Sequence, residues 1–239
     1  MKRITIISIV AVLLLAGCHI SINGETKWTY EHPERYQTGD AVLDQPINEL
    51  DINWLEGDID IVYADHPDVR VYEKTDSVLS DSLRMHWYVD DEGCLDIQFC
   101  KSGLYKTKQL NNLNHGKHLT IEVPRGTLLN EIDMSLVSAF VTIDSVASRE
   151  LKVEGVAFGI TTNYPTLPDE INIDGVDCHL NLQTPTSEGM TIEMSGVKKY
   201  LNITSKRPTR KDGKKTILGD GRCEIDIDGV NCTLNINEL

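Results

Sequence analysis

Six copies of one short apolar pattern constrain this chain more than any other feature. Each copy starts at Leu50, Ile132, Leu151, Ile171, Ile192 or Ile225. Two places on stand Ile52, Met134, Val153, Ile173, Met194 and Ile227. Five places on stand Leu55, Val137, Val156, Val176, Val197 and Val230, and nine places on Ile59, Val141, Ile160, Leu180, Leu201 and Leu234. Four copies also carry glycine at the fourth place: Gly155, Gly175, Gly196 and Gly229. The last five copies begin 19, 20, 21 and 33 residues apart.

The parity of these columns predicts a corner. Side chains alternate strictly along a strand, so even places zero and two cannot share a face with odd places five and nine unless the chain turns between them. The turn falls at Glu154-Gly155, Asp174-Gly175, Ser195-Gly196 and Asp228-Gly229, where glycine supplies the positive φ of a corner. Two geometries satisfy the pattern: a hairpin with a two-residue loop, giving a β-sandwich, or the corner of a β-solenoid whose coils of about 20 residues stack. Consecutive near-identical units favour the solenoid. Elsewhere short alternating runs such as Val69–Tyr72, Leu95–Phe99 and Leu119–Val123 read as strands, and no sustained helical period is present. The expectation is an all-β chain.

The first residues read as an address. Lys2 and Arg3 precede an apolar run from Ile4 to Ala16, too short to span a bilayer core of about 30 Å and apt for a signal peptide. The run ends in Leu15-Ala16-Gly17-Cys18, which resembles the lipobox of bacterial lipoproteins. The resemblance implies removal of residues 1–17, lipidation of Cys18 and a membrane partner through that anchor; simple secretion with Cys18 as a free thiol is the alternative. His19 follows the cysteine, where an Asp would resemble an inner-membrane retention signal, so the outer membrane of a bacterial cell envelope is the expected location. Residues 18–46, with Gly24, Pro33, Gly39 and Pro46, read as a tether joining a single domain over 47–239.

Glu49 to Asp65, the Leu119–Pro124 run, the repeats and the closing Leu218-Gly219-Asp220-Gly221 together resemble the DUF4097-type putative adhesins of bacteria. That family is similar to right-handed β-solenoids and to autotransporter-adhesin heads. This chain departs from it in its Asp-Gly-Val and Glu-Gly-Val corners and in inserted residues 101–118 and 205–218. The resemblance implies a non-catalytic adhesin or scaffold that presents an extended β surface to glycan, protein or envelope ligands. A polysaccharide-active β-helix enzyme and a periplasmic envelope sensor are the alternatives. Convergent carboxylates in a groove would favour the enzyme, and dispersed ones the binder.

Charge excludes one class. The chain carries a net charge of −14. Without residues 1–17 it has 21 basic and 37 acidic residues, a net of −16, the wrong sign for a nucleic-acid partner. The abundant carboxylates, such as Asp58, Asp60, Asp226 and Asp228, read as a solvated face. No zinc, redox, P-loop or nucleophile motif is present, and no cofactor, metal or catalytic residue is assigned. His115-Gly116-Lys117-His118 reads as a solvated loop, and His179 as an outward strand residue.

Beyond Cys18 the cysteines are Cys94, Cys100, Cys178, Cys223 and Cys232. Cys178 and Cys232 share the seventh place of their copies with the Ile192 copy between them. Two strand spacings would part them by about 9.6 Å, beyond the ~7 Å reach of a disulfide. Both therefore read as small buried apolar residues. Cys94 and Cys100 could pair only if a turn brings them together. Residues 198–215 hold eight basic side chains against Asp212 alone. Lys206, Arg207, Arg210, Lys211, Lys214 and Lys215 are candidates for contact with an anionic surface. Trp54, Trp87 and Tyr88 are candidates for glycan stacking, Trp54 because it stands where later copies have glycine; the alternative places such an aromatic at the end of the core.

Overall fold

The computed structural model describes residues 27–104, 116–185 and 187–238, so the signal segment and Cys18 lie outside the described residues. The strands of the N-terminal part are β1 (Gln37–Thr38), β2 (Ala41–Leu43), β3 (Glu49–Ala64), β4 (Val69–Lys74), β5 (His86–Val89), β6 (Cys94–Gln98) and β7 (Lys117–Pro124). After them come β8 (Leu128–Asp144), β9 (Ala147–Asn163), β10 (Glu170–Thr184), β11 (Met190–Met194), β12 (Val197–Thr204), β13 (Thr209–Asp212), β14 (Lys215–Leu218) and β15 (Cys223–Glu238). They form one large mixed sheet, largely parallel, and the fold is all-β.

Each sequence copy is one bent row with two arms. Copies pair in parallel and in register, arm on like arm: Leu50 faces Ile132 and Ile59 faces Val141 across β3 and β8. The same register continues from β8 to β9, β9 to β10 and β10 to β15. The two arms of a copy do not pair with each other among the described residues, which removes the hairpin sandwich. Both arms turn apolar side chains inward. In β9, Leu151, Val153 and Gly155 are buried before the corner, and Phe158, Ile160 and Thr162 after it. Parity therefore switches at the corner as predicted, but the fifth-place residues lie at the bend itself, half-buried at Val156 and Val176 and exposed at Val197.

Glycine supplies the expected positive φ at three of the four corners, with Gly155, Gly196 and Gly229 at 155°, 91° and 157°, and it has a second task there. A Cβ on Gly155 would stand 1.9 Å from the Leu136 carbonyl oxygen, and one on Gly229 1.9 Å from that of Gly175. Stacked backbones approach too closely there for any side chain. A second set of left-handed residues comes two places later: Ala157, Asp177, Lys198 and Asn231, with φ of 54°, 59°, 56° and 62°. Asp and Asn tolerate that region better than most residues.

The rows do not stack in chain order. β6 and β7 together make a row outside β3, pairing with its first and second arms. At the far end β15 pairs directly with β10, and β11 and β12 pair with the outer side of β15. The spatial order is thus β6/β7, β3, β8, β9, β10, β15, β11/β12. This overturns the expected separation of Cys178 and Cys232. They are row neighbours, with Cα atoms 4.7 Å apart, and form a disulfide. Cys94 and Cys100 are not bonded to each other.

Antiparallel strands close most of both ends. β5 covers β6 and β1 covers β5, while β4 covers β7 and β2 covers β4. At the other end β14 covers β11 and β13 covers β14. Such covers blunt the exposed edges of a parallel stack. The expected tether is partly built into the fold: Trp28, Ala41 and Leu43 are buried in the common core, and β1 and β2 belong to the end cover. Lys117, expected in a solvated loop, is fully buried. Its Nζ lies 2.9 Å from Glu73 Oε2 and 4.4 Å from the centre of the Phe99 ring. Burial lowers its pKa, against the opposing pull of Glu73.

Candidate functional site

In-register stacking converts repeated sequence positions into columns. Just before the first apolar position stand Glu49, Glu131, Glu150, Glu170 and Glu224, each facing the next across paired strands. The place after that position holds, in spatial order, Asp96, Asp51, Asp133, Lys152, Asn172, Asp226 and Glu193. Two places further on come Glu154, Asp174 and Asp228 among Asn53 and Ser135. All three columns point outward from the first arm. They place thirteen carboxylates on one face against a lone cation, Lys152. At about 4.8 Å per row the face runs about 29 Å.

The face is concave. A groove of about 730 Å³ runs along it, lined by Asp51, Asp133, Glu154, Asp174, Asp226 and Asp228 among others. Neighbouring columns are tied within a row, Asn53 donating to Asp51 at 2.9 Å and Gln98 to Asp96 at 2.8 Å, and neighbouring rows within a column, Ser135 donating to Glu154 at 2.9 Å. Lys152 bridges Glu131 at 2.8 Å and Glu150 at 3.1 Å, which raises its own pKa. Burial, then the charges of Asp96 and Asp133, push the Asp51 carboxyl up to about 7. Asp96, Asp133, Glu154, Asp174 and Asp226 are also shifted upward, in each case mainly by burial. Burial, with neighbouring carboxylates adding to it at Asp51, Asp133 and Asp174, thus disfavours the ionised form of these groups. Among the described residues no three His, Cys, Asp or Glu side chains stand close enough to hold a metal ion.

The glycan-stacking candidates fall differently from expectation. Trp54 is fully buried, edge-on to Phe99 at 4.9 Å, because the fourth place of a row faces inward. Trp87 is also in the core, its Nε1 donating to the Gly39 carbonyl at 2.8 Å. Tyr88 is half-buried at one end of the acidic face, 5.7 Å from Tyr36 and under Arg35 at 5.8 Å. Tyr36 itself donates its hydroxyl to Asp96.

The exposed aromatics are on the second arm, and the sequence reading missed them. Phe140 is 69% exposed and Tyr200 54%. Their face is mixed: Asp58 is the cross-strand partner of Phe140, and Asp177 lines the depression beside it. Asn235 donates to Asn181 and Asn202 to Asn235, each at 2.8 Å, forming an amide ladder. A depression of about 570 Å³ beside Phe140 is lined by Thr142, Thr161, Asp177, His179 and Asn181 among others.

The basic segment splits in two. Arg207 is half-buried and already paired: its Nε donates to Glu238 at 2.8 Å. This removes Arg207 from the anion-contact set. Lys206, Arg210, Lys211, Lys214 and Lys215 remain exposed, most of them on the β13–β14 hairpin.

No known family matches this sequence, and no curated protein is significantly similar to it. In structure the chain is similar to a putative cell adhesion protein from Clostridium sporogenes, with a TM-score of 0.63 at 16% identity, over 85% of this chain and 100% of the other. A putative adhesin from Bacteroides fragilis covers 85% of this chain and 98% of its own at 11% identity, with a TM-score of 0.34, too low to carry an argument. The resemblance read from the motifs therefore stands at the level of architecture: the chain shares the all-β fold of the clostridial protein.

Proposed function

We propose that this protein is a non-catalytic, lipid-anchored protein of the bacterial outer membrane, and that its stacked rows form an adhesin-like β-solenoid whose acidic face takes an extended cationic partner, such as a basic protein strand. The observation that carries this reading is the set of in-register carboxylate columns, a charge pattern repeated along the stack rather than focused at one point. A repeated ladder gives equal footing to each successive charge of an elongated ligand, and the groove lets a strand lie along it. The second face, with Phe140 beside amide, hydroxyl and carboxylate groups, suits glycan contact in place of Trp54 and Trp87. The fold likeness to a putative cell adhesion protein supports the same class.

Protease treatment of intact cells tests the placement. Digestion from outside fits an adhesin; protection until the outer membrane is opened removes adhesion and leaves a periplasmic scaffold or sensor.

One observation favours the enzymatic alternative. Asp51, held near neutrality beside Asp96 and Asp133, has the pairing of a proton donor with neighbouring carboxylates. Reducing-end release from a panel of neutral polysaccharides, lost on Asp51→Asn, would replace the binding reading with this one.

A further inference from the structure

The far end of the stack carries a cleft of opposite charge, and it is distinct from the acidic face. The last row is β11 and β12, and among the described residues β12 has only β15 as a strand partner. Between the two arms, where no further row closes the core, lies a cleft of about 260 Å³. Its floor is Ile192, Met194 and Leu201, and its rim is Lys199, Lys211 and Lys214. Ile192 is buried, while Met194 and Leu201 stay partly open to solvent.

The rim ammonium groups have only neutral partners. Lys211 donates to the Thr216 hydroxyl at 2.6 Å, and Lys199 donates to the Met194 carbonyl. Among the described residues no carboxylate forms an ion pair with Lys199, Lys211 or Lys214. Asp212, the acid within this segment, faces Lys215 across the hairpin. Arg207, by contrast, is already neutralised by Glu238. Uncompensated cations above an open apolar floor match a ligand with an anionic head and an apolar body. Free phosphate would satisfy the rim and leave the floor wet. A zwitterionic lipid would cover the floor and leave the rim charge uncompensated.

We propose that this cleft binds the phosphomonoester head and first acyl methylenes of an anionic lipid, with Lys199, Lys211 and Lys214 around the phosphate and Met194 and Leu201 against the chain. The assignment does not depend on the ligand of the acidic face, whose columns lie on the outward side of the first arm.

The test follows the Met194 methyl signal of the full-length protein by carbon-13 NMR, with soluble dihexanoyl phosphatidic acid as probe and the buried Met85 and Met134 as internal references. The expected result is a saturable Met194 shift, with affinity at least about tenfold weaker for dihexanoyl phosphatidylcholine and for inorganic phosphate. The triple variant Lys199→Gln, Lys211→Gln, Lys214→Gln, checked by its thermal transition, should lose about tenfold or more. The pair Lys206→Gln, Arg210→Gln lies outside the cleft and should leave affinity unchanged. Four results would each overturn the proposal: an unmoved Met194, equal binding of phosphatidylcholine, equal binding of inorganic phosphate, or equal losses in the two variants.

Discussion

Removing the disulfide between Cys178 and Cys232 probes the most unexpected feature of the fold, the insertion of the last strand beside β10. The bond exists because β15 pairs with β10 in register and brings the two Cα atoms to 4.7 Å. It closes a loop spanning 54 residues of separation, including β11, β12 and the β13–β14 hairpin. In the chain-entropy treatment, a loop of that length restrains the unfolded chain by about 14 cal/mol/K, or about 4 kcal/mol at room temperature. The double variant Cys178→Ala, Cys232→Ala should therefore lose about 4 kcal/mol in urea unfolding, with a slope equal or somewhat steeper because the released unfolded chain is less compact. Peptide mapping of the denatured, unreduced wild type should recover the two cysteine peptides linked. Both thiols open to alkylation, together with a loss below about 1 kcal/mol, would refute the row order. Such a bond also requires an oxidising compartment, consistent with the proposed envelope location.

Other outcomes follow from the same geometry. The first-arm carboxyls have folded pKa values above their unfolded ones, with Asp51 at about 7, so the folded state holds the extra protons and stability must fall as pH rises from about 4 through 7. Thermal unfolding should be higher at pH 5 than at pH 8, Asp51→Asn should recover more stability at pH 8 than at pH 5, and a flat profile would contradict the shifts. Glu73→Gln leaves the buried Lys117 charge without its partner and should cost about 3–5 kcal/mol in urea unfolding, whereas replacing both residues with apolar ones should cost far less. An equal loss in both variants would show that packing, not charge, sets the cost.

Much of the fold was legible in the residues, and the particulars show why the rest was not. The apolar columns located the corners because burial on both arms enforces parity, and Leu151, Val153, Phe158 and Ile160 obey it. The row order was hidden because the rows are near copies: Ile171 is as well suited to pair with Ile192 as with Ile225, and no local signal separates them. The disulfide was missed for that reason alone. The acidic face was within reach, since Glu49, Glu131, Glu150, Glu170 and Glu224 align in the same repeat, but its meaning depends on stacking them at strand spacing. Trp54 matches the alternative that places such an aromatic in the core; the exposed reading failed because its position was compared with corner glycines. That column faces inward, and glycine occupies it elsewhere because the neighbouring backbone leaves no room. Lys117 could not be read as buried, since its partner Glu73 comes from a strand that pairs beside it only in the folded chain.

The central claim is that the carboxylate columns form a binding face for an extended cation. Its most direct test is the affinity of the full-length protein for a twelve-residue oligolysine peptide, measured across a salt series. The comparison variant is Asp51→Asn, Asp133→Asn, Asp226→Asn, with residues taken from three rows of the groove. The account predicts binding that weakens steeply as salt rises and falls about tenfold or more in the variant. Absence of binding at low salt, or equal affinity in the variant, would contradict it.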